Sequence, residues 1–140
     1  MVWGIAYYEA PDRSIPAAEF LASCPTKVAA NLLAVLEAVR AAPPPGFSGG
    51  GKWEAMHGTM AGYYEIRATG PGRMHYRLFC RLENGTPDEL NALGFDRPQI
   101  IVISGMVKKN AELFTDAEYK RNVRALGDVY LSRSPRPIAE

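Results

Sequence analysis

The stretch from Arg73 to Leu82 alternates residue by residue. Met74, Tyr76, Leu78, Cys80 and Leu82 fall on one side, and Arg73, His75, Arg77, Phe79 and Arg81 fall on the other. Successive side chains of a strand point to opposite faces, so this segment predicts a β-strand with one apolar and one basic face. Upstream, Tyr63 to Arg67 predicts a second strand, with Tyr64 and Ile66 facing the core and Tyr63, Glu65 and Arg67 facing away. The Gly70-Pro71-Gly72 turn between them is too short for anything but antiparallel pairing. The two strands should therefore gather Arg67, Arg73, His75 and Arg77 on one surface, with Tyr63 and Phe79 among them. Charge placed inside a strand is costly unless a polar surface or a ligand uses it.

The rest of the chain supplies a frame for that surface. Val2 to Tyr8 predicts a first strand, and Ile15 to Ala22 a short helix with Ser14 as cap and Pro16 in its first turn. After Ser23-Cys24-Pro25 a longer helix runs to about Ala42, with Val28, Leu32, Val35, Leu36 and Val39 at helical spacing. Residues 41–51 (AAPPPGFSGGG) read as a flexible connector. Lys52 to His57 reads as a strand and Gly58 to Gly62 as a hairpin connection. Asn84 to Gln99 is a polar excursion with a helical turn at Pro87 to Leu93. Ile100 to Gly105 is apolar on both faces, as expected for a central strand. Thr115-Asp116-Ala117-Glu118 fits a capping box, opening a helix with Tyr119, Val123, Leu126 and Tyr130 on its apolar face. Residues 133–140 read as a frayed tail. The whole predicts one α+β domain over 1–140. Its sheet of four to five strands is mainly antiparallel, with two N-terminal helices and one C-terminal helix packed on one face.

At 140 residues the chain is long enough for one real core. Net charge is only +1, so distribution matters more than total. Residues 52–81 hold five Lys/Arg against two acids, while residues 82–98 hold one Arg against four acids. A local basic patch suits phosphate contact better than extended wrapping of a nucleic acid. Cys24 and Cys80 form no metal or redox motif, and no cofactor or metal is expected. The N-terminus lacks a basic n-region followed by a long apolar run, and no apolar run is long enough for a bilayer. The expectation is a cytoplasmic protein with free thiols and no membrane partner.

Arginine forks match phosphate oxygens, and aromatic rings stack on unpaired bases. A basic and aromatic sheet face therefore points to RNA. A plain alternative is a wetted sheet face with cross-strand Arg–Glu pairs, such as Arg77 with Glu65. His75 lies on the basic face, where an imidazole could act as general base. His57 reads as a turn residue. There is no Ser-His-Asp arrangement, phosphate-binding loop, dinucleotide fingerprint or zinc spacing.

Four elements in order are Lys52-Trp53-Glu54, Tyr64-Glu65-Ile66-Arg67, Tyr76-Arg77-Leu78-Phe79, and the run from Ile100 through Ser104-Gly105-Met106-Val107 to Lys108-Lys109. Together they resemble the RelE/ParE toxin superfamily, in particular its HigB-like branch. The Tyr8-Glu9 strand end, the Ser14-Ile15-Pro16 helix start and the final helix extend the resemblance over nearly the whole chain. It implies a toxin of a type II toxin–antitoxin module that cleaves mRNA, in many members on the ribosome, and inhibits translation. The partner it implies is a helix-turn-helix antitoxin. Arg67 and Arg77 match the family's strand arginines. With His75 and Lys109 they form the expected catalytic set. Lys52, Arg73, Lys108, Lys120 and Arg121 form the expected RNA-binding set. Because Lys108 and Lys109 are adjacent, only one can face the groove. Ser104 and Met106 depart from the histidine and phenylalanine frequent in that branch. The alternative within the same fold is a protein without nuclease activity that acts on a protein target, as the gyrase-directed branch does, or a phage-encoded regulator.

Overall fold

The computed structural model describes residues 2–43, 51–109 and 113–139. Most of the proline- and glycine-rich connector thus lies outside the described residues. Five strands form one sheet: β1 (Gly4–Tyr7), β2 (Trp53–Ala55), β3 (Tyr63–Gly70), β4 (Met74–Glu83) and β5 (Gln99–Lys109). Their spatial order is β1-β5-β4-β3-β2. Only β1 and β5 pair in parallel; every other neighbour is antiparallel. The helices are α1 (Pro16–Ser23), α2 (Thr26–Ala41), α3 (Pro87–Ala92), α4 (Asp116–Tyr119) and α5 (Ala125–Leu131). The five-residue π-helical stretch Lys120–Arg124 joins α4 to α5. This is the expected α+β fold.

Helices cover both faces of the sheet, not one. On the first face, Ile66, Leu78, Cys80, Ile100 and Val102 pack under Ala17 of α1 and Val28, Leu32, Leu36 and Val39 of α2. On the second, Tyr63, Phe79, Ile101 and Ile103 pack under Leu90 of α3, Val123 and Tyr130. Tyr63 and Phe79 are therefore core residues, 4% and 0% exposed. They are not the open stacking platform that strand alternation alone suggests. The aromatic residues on the basic face marked a second apolar layer.

Local signals explain most boundaries. Thr115 accepts from the Glu118 N–H while Glu118 accepts from the Thr115 N–H, closing the expected capping box. Thr86 and Glu89 close a second one at α3. Ser14 does not cap α1. Its hydroxyl bonds Asp12, and Ile15 occupies the cap position without a side-chain bond. β3 runs three residues beyond Arg67, while β2 is shorter than the predicted 52–57 segment.

The C-terminal segment is docked rather than frayed. Ile138 bridges Tyr8, and the Glu9 N–H donates to the Pro137 carbonyl at 3.0 Å, so this segment lines the outer edge of β1. Arg136 meets Glu83 at 2.9 Å, and the same carboxylate oxygen accepts from the Tyr130 hydroxyl at 2.7 Å. A charge this far out of water needs such partners.

A register shift between Phe79 and Cys80 matters for the surface chemistry. Phe79 faces Ser104, but Cys80 faces Val102, leaving Ile103 as an extra residue on β5. One inserted residue reverses which side chains share a face downstream. Ile101 and Ile103 lie in the second core, but beyond the bulge the second face carries Ser104, Met106 and Lys108.

Candidate functional site

Where the second face leaves the cover of the C-terminal helix, the strand register builds a polar array. Arg67 on β3 stands directly opposite Arg77 on β4, and Arg77 stands opposite Met106 on β5. The Arg67 N–H donates to the Lys52 carbonyl at 3.1 Å, so Lys52 continues the row. The next row is Thr69, His75 and Lys108. Sequence alternation joins Arg67, Arg73, His75 and Arg77; the pairing keeps Arg67, His75 and Arg77 together, leaves Arg73 in the turn, and adds Lys52, Thr69 and Lys108.

These residues line a cleft of about 680 Å³. Lys52, Arg67, Thr69, His75 and Arg77 form its sheet side, and Asn31, Ala34, Val35 and Ala38 of α2 form the opposite wall. β2 begins at Trp53, opposite Ile66, so Lys52 lies beside Arg67, where the sheet side of the cleft meets the flank of α2. Asn31 and Thr69 carried no sequence signal, because no periodicity distinguishes a cleft-lining polar residue from any other exposed one.

The two arginines are not equivalent. The Arg67 Nε lies 2.8 Å from Glu65 Oε1, and its Nη2 lies 2.8 Å from Glu54 Oε2. Burial opposes the Arg67 charge, but the bonds and charge of Glu65 and Glu54 outweigh it, and its pKa is raised. Arg77 donates to its neighbour's carbonyl, Tyr76 O, at 3.0 Å and meets no carboxylate among the described residues. Burial lowers its pKa; Glu65 opposes that shift and the Arg67 charge reinforces it. The expected Arg77–Glu65 pair is thus replaced by Arg67–Glu65, and Arg77 keeps its fork available. A cation held in a partly desolvated cleft without a counter-charge is a ready site for an anion.

Tyr119 stands beside the array on the second face, outside the cleft lining. Its ring packs edge-on against Phe79 with centroids 5.8 Å apart. Burial raises its pKa, with Glu65 adding to the rise and Arg77 and Arg67 opposing it. The phenol therefore stays protonated beside the arginine pair and can donate. Ser104, beneath this region, is structural: its hydroxyl donates to the Asn122 carbonyl at 2.7 Å within the π-helical stretch.

The remaining expected residues separate from the cleft. Lys109 stands opposite Met74, on the face covered by α1 and α2, because of the bulge at Ile103. Lys108 shares the face of His75 but its Nζ lies 2.7 Å from Glu118 Oε1, at the helix start. Arg73 lies in the turn, at a φ of 61°, outside the strand alternation and outside the cleft lining. Lys120 and Arg121 are exposed on the π-helical stretch and do not line the cleft. His57 is an exposed turn residue ahead of Gly58. Among the described residues no group of His, Cys, Asp and Glu could hold a metal ion. No helix there is long and apolar enough to cross a membrane. Cys24 and Cys80 are free thiols, and burial drives the Cys80 pKa up.

No protein-family model, curated protein or solved structure matches this chain. A functional reading rests on the cleft's own chemistry and on the resemblance described above.

Proposed function

We propose that this chain is an endoribonuclease of the RelE/ParE type, a toxin that cleaves mRNA in the Arg67–Arg77 cleft and is held in check by an antitoxin. One observation carries the reading: Lys52, Arg67, His75 and Arg77 converge on a single cleft, and Arg77 has no carboxylate partner among the described residues. Three cations and an imidazole around an open cleft suit an RNA phosphodiester.

The reaction consistent with these groups is transfer of the phosphate to the neighbouring ribose hydroxyl. The 2′-oxygen attacks phosphorus as a base removes its proton. The 5′-oxygen then leaves and takes up a proton, giving a 2′,3′-cyclic phosphate and a 5′-hydroxyl end. His75 lines the cleft and serves as the base. Arg77 stabilises charge on the phosphoryl oxygens, where a preorganised donor acts most strongly. Arg67, fixed by Glu65 and Glu54, and Lys52 hold the flanking backbone. The leaving oxygen takes its proton from solvent, since Tyr119 stands outside the cleft lining. The resemblance adds the ribosome as the setting in which the message is presented. Lys109 drops out of the catalytic set.

The test is induced expression of the wild type and Arg77→Ala, scored for growth and for RNA 5′ ends mapped across the transcriptome. Growth arrest with new 5′ ends, both lost in Arg77→Ala, is the expected result. Arrest with intact mRNA and damaged DNA would assign the chain instead to the protein-targeting, non-nuclease branch. Absence of toxicity, with no antitoxin present, would overturn both.

A further inference from the structure

The cleft does not end at Thr69. A second cavity, of about 280 Å³, opens between the start of α2 and the β3–β4 turn, and it shares Asn31 and Thr69 with the first. Lys27 stands in its wall with Pro25 and Pro71. The two cavities adjoin at Asn31 and Thr69 and lie along α2 between the arginine pair and Lys27. The positions 27, 31, 34, 35 and 38 recur at helical spacing on one flank of α2. That flank extends for about 16 Å at the rise of an α-helix, room for more than one nucleotide. The groove has a cation at each end and uncharged polar groups between them. Lys27 is exposed and has no ion-pair partner among the described residues. Ala34 and Ala38 keep the helix wall low where a flat base would lie against it.

Resting on the RNA reading above, we infer that the groove seats a single RNA strand across several nucleotides. The reacting phosphate sits at Arg77, a phosphate further along the strand sits at Lys27, and Asn31 reads a base between them. A carboxamide presents a donor beside an acceptor and can pair with a base edge, whereas an ammonium acts on phosphate as a point charge. Asn31 is thus a specificity-determining residue and Lys27 a backbone contact that lengthens the footprint.

The test uses the full chain and fluorescence anisotropy with 2′-O-methyl oligoribonucleotides, which bind but cannot react. Two-nucleotide and six-nucleotide probes of varied sequence are titrated against the wild type, Arg77→Ala, Lys27→Ala and Asn31→Ala. Arg77→Ala should weaken both lengths. Lys27→Ala should weaken only the longer probe, flattening its salt dependence by about 0.7 in log–log slope, the contribution of one phosphate contact on a single strand. Asn31→Ala should lower the affinity for the preferred sequences to that for the others, erasing the preference between them. Lys27 and Asn31 are both exposed, so unchanged thermal melting should accompany both substitutions. Arg77-dependent binding that ignores Lys27 and Asn31 would overturn this inference and leave the cleft assignment standing. Failure of the wild type to bind any probe would overturn both.

Discussion

Arg67 and Arg77 stand directly opposite each other on neighbouring strands, yet among the described residues only Arg67 is met by carboxylates. Two guanidinium groups side by side repel, so Glu65 and Glu54 stabilise one of them and leave the other available. Glu65 acts on Arg77 only through its charge, with no ion pair between them. A half-buried cation without a counter-charge is destabilising on its own account, and a binding site is the usual reason to keep one.

Substituting Arg77 should therefore separate stability from activity. Arg77→Met keeps the aliphatic stem and removes the charge. Its melting temperature should equal or exceed that of the wild type, while RNA cleavage should fall about a hundredfold, as for loss of one preorganised donor. Thermal melting and a cleavage assay on the same preparations check this. A lower melting temperature with intact cleavage would make Arg77 a structural residue.

The Lys108–Glu118 contact gives a pH signature. Lys108, with the Thr115 N–H, holds the Glu118 carboxyl at about 2, below its ordinary 4.5. A depressed folded-state pKa contributes stability above the unfolded value and loses it as pH falls through the folded one. Glu118→Gln keeps an oxygen for the helix cap but removes the ion pair. The variant should melt below the wild type at pH 7, and the gap should close between pH about 4.5 and about 2. A gap independent of pH would mean the ion pair adds nothing.

Gly127 sets how closely the C-terminal helix approaches the sheet. A Cβ there would stand 1.8 Å from the Tyr63 hydroxyl oxygen and 2.8 Å from the ring carbon bearing it. Gly127→Ala should cost about 3 kcal/mol, at the upper end for overpacking a core. Adding Tyr63→Phe removes the shorter contact and should recover part of that loss. Denaturant unfolding of the two single variants and the double variant measures the coupling. Additive losses would show that the helix had shifted rather than met the ring.

One carboxylate helps to hold the docked C-terminal segment. Glu83 Oε2 accepts from both Tyr130 and Arg136, and the ion-paired side chains are each 14% exposed. Arg136→Ala should cost about 2 kcal/mol, less than for a fully enclosed pair. Backbone amides at Glu9 and Ala139, which bond across the β1 edge, should then exchange faster with solvent. Unchanged exchange there would show that the strand edge holds the segment without the ion pair.

Much of this arrangement was legible in the sequence. Alternation over Arg73–Leu82 defined β4, and two short strands around one turn were enough to bring Arg67, His75 and Arg77 together. The capping box at Thr115 fixed the last helix's start. Other features depend on tertiary geometry that no local pattern carries. An alternating strand cannot tell whether its second face meets water or another helix, so Tyr63 and Phe79 looked like a platform rather than a core. The bulge at Ile103, inside an unbroken apolar run, decides between Lys108 and Lys109. The cleft joins two strands to helix α2, which supplies Asn31 from far along the chain.

The most direct test of the central claim is an NMR titration of the full chain with a 2′-O-methyl oligoribonucleotide, followed at assigned backbone amides. The predicted result is shifts concentrated at Arg67, Thr69, His75 and Arg77, with Lys109 and Arg121 unmoved. Shifts centred on Lys109 or Arg121, or none anywhere, would contradict the assignment of RNA to the Arg67–Arg77 cleft.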